Sequence, residues 1–282
     1  NEAEQLPETL ADLPRSVPGV SVVEWLVIDD GSVDETVEVA FAHGVDHVVR
    51  LPQNRGLAAA FQSGLDAALK LGADIVVNTD ADNQYVGADI KKLVAPIVEG
   101  RANLVIGDRN TATVEEFSRL KKRLQAFGSS VVRWVSKTQV TDATSGFRAY
   151  SKEAALQLSV VNQYTYTIES IIQAGRSNAA IESVIIGTNP STRPSRLFGS
   201  MWGYIRRNSL TIVRVFAAYK PMRFFGAISA LFFILSLAAF TPFFIDWVRS
   251  DTQGGHLQSL ILGAILAMTG VQILVLAFVA DL

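Results

Sequence analysis

No cysteine occurs among the 282 residues, which excludes a disulfide framework and metal centres built on thiolates. Histidine is scarce: His43, His47 and His256 are scattered without ligand spacing and read as surface or packing residues. The formal charge of −2 carries no excess of one sign, so no nucleic-acid partner is expected. The N-terminus is polar and lacks an apolar core segment, so no signal peptide is expected. A local absence says more. Between Ser183 and Ile245 there is no acidic residue, while Arg193, Arg196, Arg206, Arg207, Arg214, Lys220 and Arg223 are all basic. Trp202, Tyr204, Ile205, Val213, Phe216 and Tyr219 are interleaved with them. Such a basic, aromatic, amphipathic segment fits a helix lying in the headgroup layer of a bilayer.

Beyond that segment the chain turns apolar. Phe224 to Ile245 and Leu257 to Ala280 carry no charge, and the second is broken only by Gln258, Ser259, Thr269 and Gln272. Each is longer than the ~20 residues a helix needs to cross a bilayer, and buried core helices of that length would show a polar stripe. Asp246, Trp247, Arg249 and Asp251 fill the short connection, making the pair a hairpin. Basic residues ahead of the first span place the large domain in the cytoplasm of a two-span, multi-pass cell-membrane protein. The expected division is therefore a domain of soluble character over residues 1–198, an amphipathic juxtamembrane segment over 199–222 and a transmembrane hairpin over 223–282. Gly263 and Gly270, seven apart, permit close helix packing, and hence a homo-oligomer, without specifying one.

The first 200 residues alternate strand-like and helix-like runs. Strands are predicted over Glu24–Asp29, His47–Leu51, Ile75–Thr79, Leu104–Ile106, Gly146–Tyr150 and Ile181–Gly187. Helices are predicted over Glu4–Leu13, Asp34–His43 with Ser32 as its cap, Arg55–Leu71, Ile90–Glu99 interrupted by Pro96, and Phe117–Val135. That order implies an α/β fold, a mostly parallel sheet with helices on both faces. Because the chain opens on a helix, a further strand is expected ahead of Asn1, and a short tail is expected beyond Leu282.

The chemistry concentrates in Asp80-Ala81-Asp82-Asn83-Gln84, directly after the apolar run Ile75–Val77. Two carboxylates and an amide at the end of a buried strand suit a hard divalent cation that holds a diphosphate. In open α/β sheets, ligands sit at the carboxyl ends of strands. The same residues also make an ordinary solvated turn.

Five motifs in order extend the pattern: Glu2, Asp29-Asp30-Gly31-Ser32, Asn54-Arg55-Gly56, Asp80-Ala81-Asp82 and Asp142-Ala143-Thr144-Ser145-Gly146-Phe147-Arg148. Together they resemble glycosyltransferase family 2, in its dolichol-phosphate mannose synthase-like branch, as far as about Arg223. The resemblance implies a nucleotide-sugar-binding GT-A-like domain that transfers a sugar from a UDP- or GDP-linked donor to a polyprenyl phosphate, with inversion. It implies Glu2, Ile28, Asp30, Asp80, Ala81 and Asp82 around the nucleotide sugar, and Asp82, Gln84 and Asp80 around Mn²⁺ or Mg²⁺. Arg109, in Gly107-Asp108-Arg109, would face a phosphate. Arg193 and Arg196 match a basic loop over the diphosphate, and Lys121, Lys122 or Arg123 would join Arg109 on the acceptor phosphate. Asp142 stands where a related enzyme places a base, or where a carboxylate orients an arginine. The lipid bilayer is the remaining expected partner.

Three rival readings share parts of this pattern. A processive polysaccharide synthase would carry Gln-x-x-Arg-Trp on a later helix, whereas Arg133-Trp134 follows Ser130 and precedes Ser145-Gly146-Phe147. A transferase acting on a hydroxyl of a glycerolipid or protein would need a general base. A scaffold that binds nucleotide sugar without catalysis would not need Asp80, Asp82, Arg109 and Arg193 together.

Overall fold

A computed structural model describes residues 1–109, 130, 133, 138, 140–160, 166–190, 213–214, 216–248 and 257–282. The chain divides into two compact units, Asn1–Gly199 and Ser200–Leu282.

In the first unit, helix α1 (Leu6–Asp12) precedes strand β1 (Leu26–Asp29), helix α2 (Thr36–Ala42) and strand β2 (His47–Arg50). Helix α3 (Leu57–Lys70), strand β3 (Ile75–Asn78), helix α4 (Ile90–Val98) and strand β4 (Leu104–Asp108) come next. Strand β5 (Arg148–Ser151), helix α5 (Lys152–Gln157), helix α6 (Tyr166–Arg176) and strand β6 (Ile181–Ile185) complete the unit. Strands β1 and β2 pair in parallel. The other four lie in the order β3-β5-β4-β6. Three of them run in one direction, and β5 alone is reversed between β3 and β4.

Alternation along these strands explains their apolar runs. Leu104, Ile106, Tyr150 and Val76 face α3, α5 and α6 in one core with Phe61, Leu65 and Ile171. Val105, Ala149, Ile75 and Val77 face α4 in a second core with Leu93 and Phe147. A sheet covered on both faces tolerates no polar side in its central strands. Helix α4 runs through Pro96 without a break. Helix α2 starts after Glu35 rather than at Ser32, whose hydroxyl instead accepts from the Asn1 amine at 2.9 Å. The helix expected over Phe117–Val135 lies outside the described residues, apart from Ser130 and Arg133.

This topology decides where polar groups gather. The carboxyl ends of β3 and β4 and the amino end of the reversed β5 lie at one edge of the sheet. Asp80, Arg109 and the Asp142–Arg148 turn therefore meet there, although long stretches of chain separate them.

The second unit contains helices α7 (Pro221–Val248) and α8 (Leu257–Asp281), both long and apolar enough to cross a membrane. They pack through small residues. Ser229 Oγ donates to the Gly270 carbonyl at 2.7 Å and Ser236 Oγ to the Gly263 carbonyl at 2.8 Å. A Cβ on Gly263 would come within 2.7 Å of the Phe240 ring, so a side chain there would prise the helices apart.

Candidate active site

The acidic turn is held rigidly from three sides. Asp82 Oδ1 accepts from the Gln84 backbone N–H at 3.2 Å, and Asn83 sits in the left-handed region at φ +54°, a conformation asparagine tolerates better than most residues. The Thr9 hydroxyl of α1 donates to the Ala81 carbonyl at 3.1 Å. On the other side, the Asn189 side chain donates to the Asn83 carbonyl at 3.0 Å and its backbone N–H to the Gln84 carbonyl at 2.9 Å. Neither Thr9 nor Asn189 stands out in the sequence, because both act through backbone atoms of distant residues.

Asp80 faces a wall of aromatic and glycine atoms. A Cβ on Gly146 would meet the Tyr166 hydroxyl at 2.9 Å and the Asp80 carboxylate oxygens at 3.1 and 3.2 Å, so only glycine fits. The Gly146 N–H donates to the Tyr85 hydroxyl at 3.0 Å, and Asn78 Nδ2 donates to both the Gly146 carbonyl and the Tyr166 hydroxyl. Burial pushes the Asp80 carboxyl up to about 6, the charge of Asp82 adds to the shift, and Arg109 and the Tyr85 hydroxyl oppose it. Burial and the Asp80 charge push the Tyr85 phenol up to about 12, so it keeps its proton throughout the neutral range.

That shift has a stability consequence. An unfolded aspartate titrates near 4. Between pH ~4 and ~6 the unfolded chain releases a proton that the native site retains. The stability from this group is thus present below pH ~4 and lost as pH rises to ~6, by about 3 kcal/mol. Asp80→Asn is expected to raise the melting temperature of the metal-free protein by about 6–12 °C above pH 6 and to leave it unchanged near pH 4. Thermal melts across that range measure it.

Arg109 and Asp142 form the other half of the site. Arg109 Nε donates to Asp142 Oδ2 at 2.8 Å and Nη2 to Oδ1 at 3.1 Å, a two-toothed pair with side chains 13% and 2% exposed. Arg109 Nη2 also donates to the Thr144 hydroxyl at 2.8 Å. The Thr144 hydroxyl and backbone N–H both reach Asp142 Oδ1, at 2.9 and 3.2 Å. Burial opposes ionisation of Asp142, but Arg109 and Thr144 outweigh it and hold its pKa below the usual carboxylate range. Burial likewise opposes the Arg109 charge, and Asp142 more than restores it. The Asp142 carboxylate is therefore occupied in holding a guanidinium.

The turn keeps its shape through Arg148, which is fully buried and has no carboxylate partner among the described residues. Its guanidinium donates to the carbonyls of Ala143 (2.9 Å), Ser145 (2.7 Å) and Thr167 (2.6 Å) and to the Ser170 hydroxyl (2.7 Å). Charge-assisted bonds to several carbonyls offset the cost of burying that cation.

The remaining expected residues are distributed unevenly. Asp30 accepts from the backbone N–H groups of Arg55 (2.7 Å) and Gly56 (2.9 Å), tying the β1 loop to the start of α3. The Ile28 side chain packs on Gly64 of α3. Glu2 roots α1, its carbonyl accepting from the N–H groups of Gln5 and Leu6 and its own N–H donating to the Thr36 hydroxyl. Lys121, Lys122, Arg123, Arg193 and Arg196 lie outside the described residues.

Among the described residues no group of three or more His, Asp or Glu side chains is placed to hold a metal ion by itself. Asp80 and Asp82 are instead a like-charged pair whose repulsion a cation would relieve. That fits a divalent ion drawing most of its ligands from phosphate oxygens and water, the habit of Mg²⁺-type ions.

A parallel strand pair and a four-stranded sheet with one reversed strand, carrying an acidic turn and a buried arginine at the strand ends, form an α/β fold of the GT-A type. Residues 1–158 match the family model described as glycosyl transferase family 2, and the chain belongs to that family. The chain is 31% identical to the UDP-N-acetylglucosamine–dolichyl-phosphate N-acetylglucosaminyltransferase of Methanococcus voltae, over 58% of this chain and 73% of that protein. It is 29% identical to the undecaprenyl-phosphate mannosyltransferase of Micrococcus luteus, over 66% of this chain and 79% of that protein. Among solved structures, glucosyl-3-phosphoglycerate synthase from Mycobacterium tuberculosis, in complex with Mn²⁺, UDP and glucosyl-3-phosphoglycerate, aligns with a TM-score of 0.54 at 25% identity. That alignment covers 75% of this chain and 76% of the synthase. The protein is a glycosyltransferase.

Proposed function

We propose that this enzyme transfers a sugar from a UDP- or GDP-linked donor to a polyprenyl phosphate at the cytoplasmic face of a membrane, using Mn²⁺ or Mg²⁺. The observation that carries the reading is the occupation of Asp142. A hydroxyl acceptor needs a general base, and the carboxylate of the turn beside the acidic pair is taken up by Arg109 and Thr144. A phosphate monoester, with a second pKa near 6, already carries its nucleophilic oxygen at neutral pH and asks only for cations to position it. Relatives named for dolichyl- and undecaprenyl-phosphate substrates point the same way, and so do the two helices long enough to span a bilayer.

In this mechanism an acceptor phosphate oxygen attacks the anomeric carbon as the bond from that carbon to the diphosphate oxygen breaks. The nucleoside diphosphate departs with the electron pair, and the anomeric centre inverts. A bound divalent ion would neutralise charge developing on the leaving diphosphate. Asp82 and Asp80 would hold that ion, with Gln84 beside them. Arg109, kept charged and aimed by Asp142 and Thr144, would hold the acceptor phosphate with a cation from Lys121, Lys122 or Arg123. Arg193 and Arg196 would cover the diphosphate. Glu2, Ile28, Asp30 and Ala81 would surround the nucleoside, mainly through backbone held in place by hydrogen bonds.

The test is transfer of radiolabel from a panel of UDP- and GDP-sugars to undecaprenyl or dolichyl phosphate in detergent, with Mn²⁺ and with chelator. The expected product is an acid-labile labelled lipid formed from one donor and abolished by chelator. No lipid product from any donor, with folded protein that binds nucleotide, would sink the polyprenyl-phosphate reading.

A further inference from the structure

Helix α8 carries two opposed faces. Gly263, Gly270 and Ala277, seven apart, are buried, and both glycines meet α7 through Ser236 and Ser229. Roughly 180° around the helix runs a second stripe: Ile261, Ile265, Met268, Gln272, Val275 and Val279. Its spacing is 4-3-4-3-4, the 3.5-residue repeat of a helix–helix seam. The five apolar members are 52–64% exposed, and Gln272 is exposed as well. The sequence alone hides this stripe, because every face of α8 is apolar.

Gln272 is the informative member. It lies nine residues from Asp281 and fifteen from Leu257, about 14 and 22 Å along the helix at 1.5 Å per residue. In a hydrocarbon layer about 30 Å thick, its primary amide sits deep among lipid chains, where unpaired donors and acceptors are costly. No partner for it occurs among the described residues. A polar group on another helix would satisfy it, and the heptad position of Gln272 marks the face on which such a helix would lie.

We infer that this face of α8 is a homodimer seam, with a second copy of the chain as its occupant and the two Gln272 amides paired at a two-fold axis. Self-complementarity singles out a second copy. A carboxamide both donates and accepts, so two identical ones close a reciprocal pair. Copies inserted with the same topology also present α8 in parallel, bringing position 272 opposite position 272. A single polar residue at a seam position sets register and partner number in helix pairs, and polar side chains join helices within bilayers. The inference does not depend on the donor or acceptor of the enzyme.

The 282-residue chain has no cysteine, so single-thiol variants of it report the seam directly. Ile261→Cys, Met268→Cys and Val275→Cys lie on the stripe, while Val271→Cys and Phe278→Cys are exposed on a different side of the helix. Oxidation within the membrane, before solubilisation, is expected to give at least five-fold more disulfide-linked homodimer at the stripe positions. Adding Gln272→Leu to Met268→Cys is expected to cut that yield at least five-fold, and Gln272→Asn to retain most of it. Monomer at every position, equal linkage at Val271→Cys, or a yield indifferent to Gln272→Leu would each overturn the inference. Linkage at the stripe to a different polypeptide would overturn it in favour of a foreign helix. Should Gln272→Leu fail to insert, the position dependence of the five thiol variants still decides.

Discussion

Asp82→Ala is expected to lower kcat/KM for sugar transfer by about 10³-fold or more at saturating Mn²⁺, with the fold intact. A metal ion stabilises the charge of a departing diphosphate by several kcal/mol, and each 1.36 kcal/mol is a factor of ten in rate. The loss should not come from unfolding. The carboxylate of Asp82 closes its own turn with one bond of 3.2 Å to the Gln84 N–H, and its removal takes a like charge away from Asp80. Thermal melts should therefore show Asp82→Ala as stable as the parent or slightly more so. Mn²⁺ titration of activity is the deciding measurement. A variant that keeps metal-dependent turnover within ten-fold of the parent would remove Asp82 from the proposed metal site.

The second large effect separates a base from a positioning residue. Arg109→Ala is expected to lower kcat/KM by about 10³-fold, the scale on which loss of one preorganised charge-stabilising donor is felt. Asp142→Asn keeps shape and one acceptor oxygen but loses the charge that aims Arg109, and about 10–10²-fold is expected. The double variant should be no slower than Arg109→Ala alone, because residues that act as a unit are not additive. If Asp142 were instead a general base, its loss would add to that of Arg109, and the acidic limb of the pH–rate profile would vanish with it. Breaking a buried pair leaves an uncompensated charge and costs about 3–5 kcal/mol. Both single variants therefore need melting curves beside their kinetics, and rates are compared only where each is folded.

The acidic turn, the two long apolar helices and most strands were legible because each is a local pattern: carboxylates following an apolar strand, long uncharged runs, short runs bounded by turn residues. The partner of Asp142, for which orienting an arginine was one expectation, and that of Asp30 were not. Each aspartate has the residue type of a ligand or a base, and its partner is set by geometry. Asp142 meets Arg109, 33 residues earlier, and Asp30 meets backbone N–H groups of Arg55 and Gly56. Tyr85, Tyr166 and Asn78 were invisible as candidate site residues for the same reason. Their only signals were adjacency to a motif or an apolar setting that any core aromatic shares.

Strand and helix order by itself determined an α/β domain joined to two long apolar helices, and the motif order, through its resemblance to glycosyltransferase family 2, determined the class of enzyme. Burial patterns, charge and span length are properties of contiguous residues, and they survive without coordinates. Only the tertiary structure decided that β5 runs backwards between β3 and β4. That insertion presses Gly146 against Asp80 and delivers Asp142 to Arg109. Strand register has a period of two, so a slip of one residue in β5 would turn Arg148 and its strand neighbours to the opposite face and carry the preceding turn away from Asp80 and Arg109. Long-range pairing of this kind is selected by the packing of two cores at once, and no short stretch of sequence encodes it.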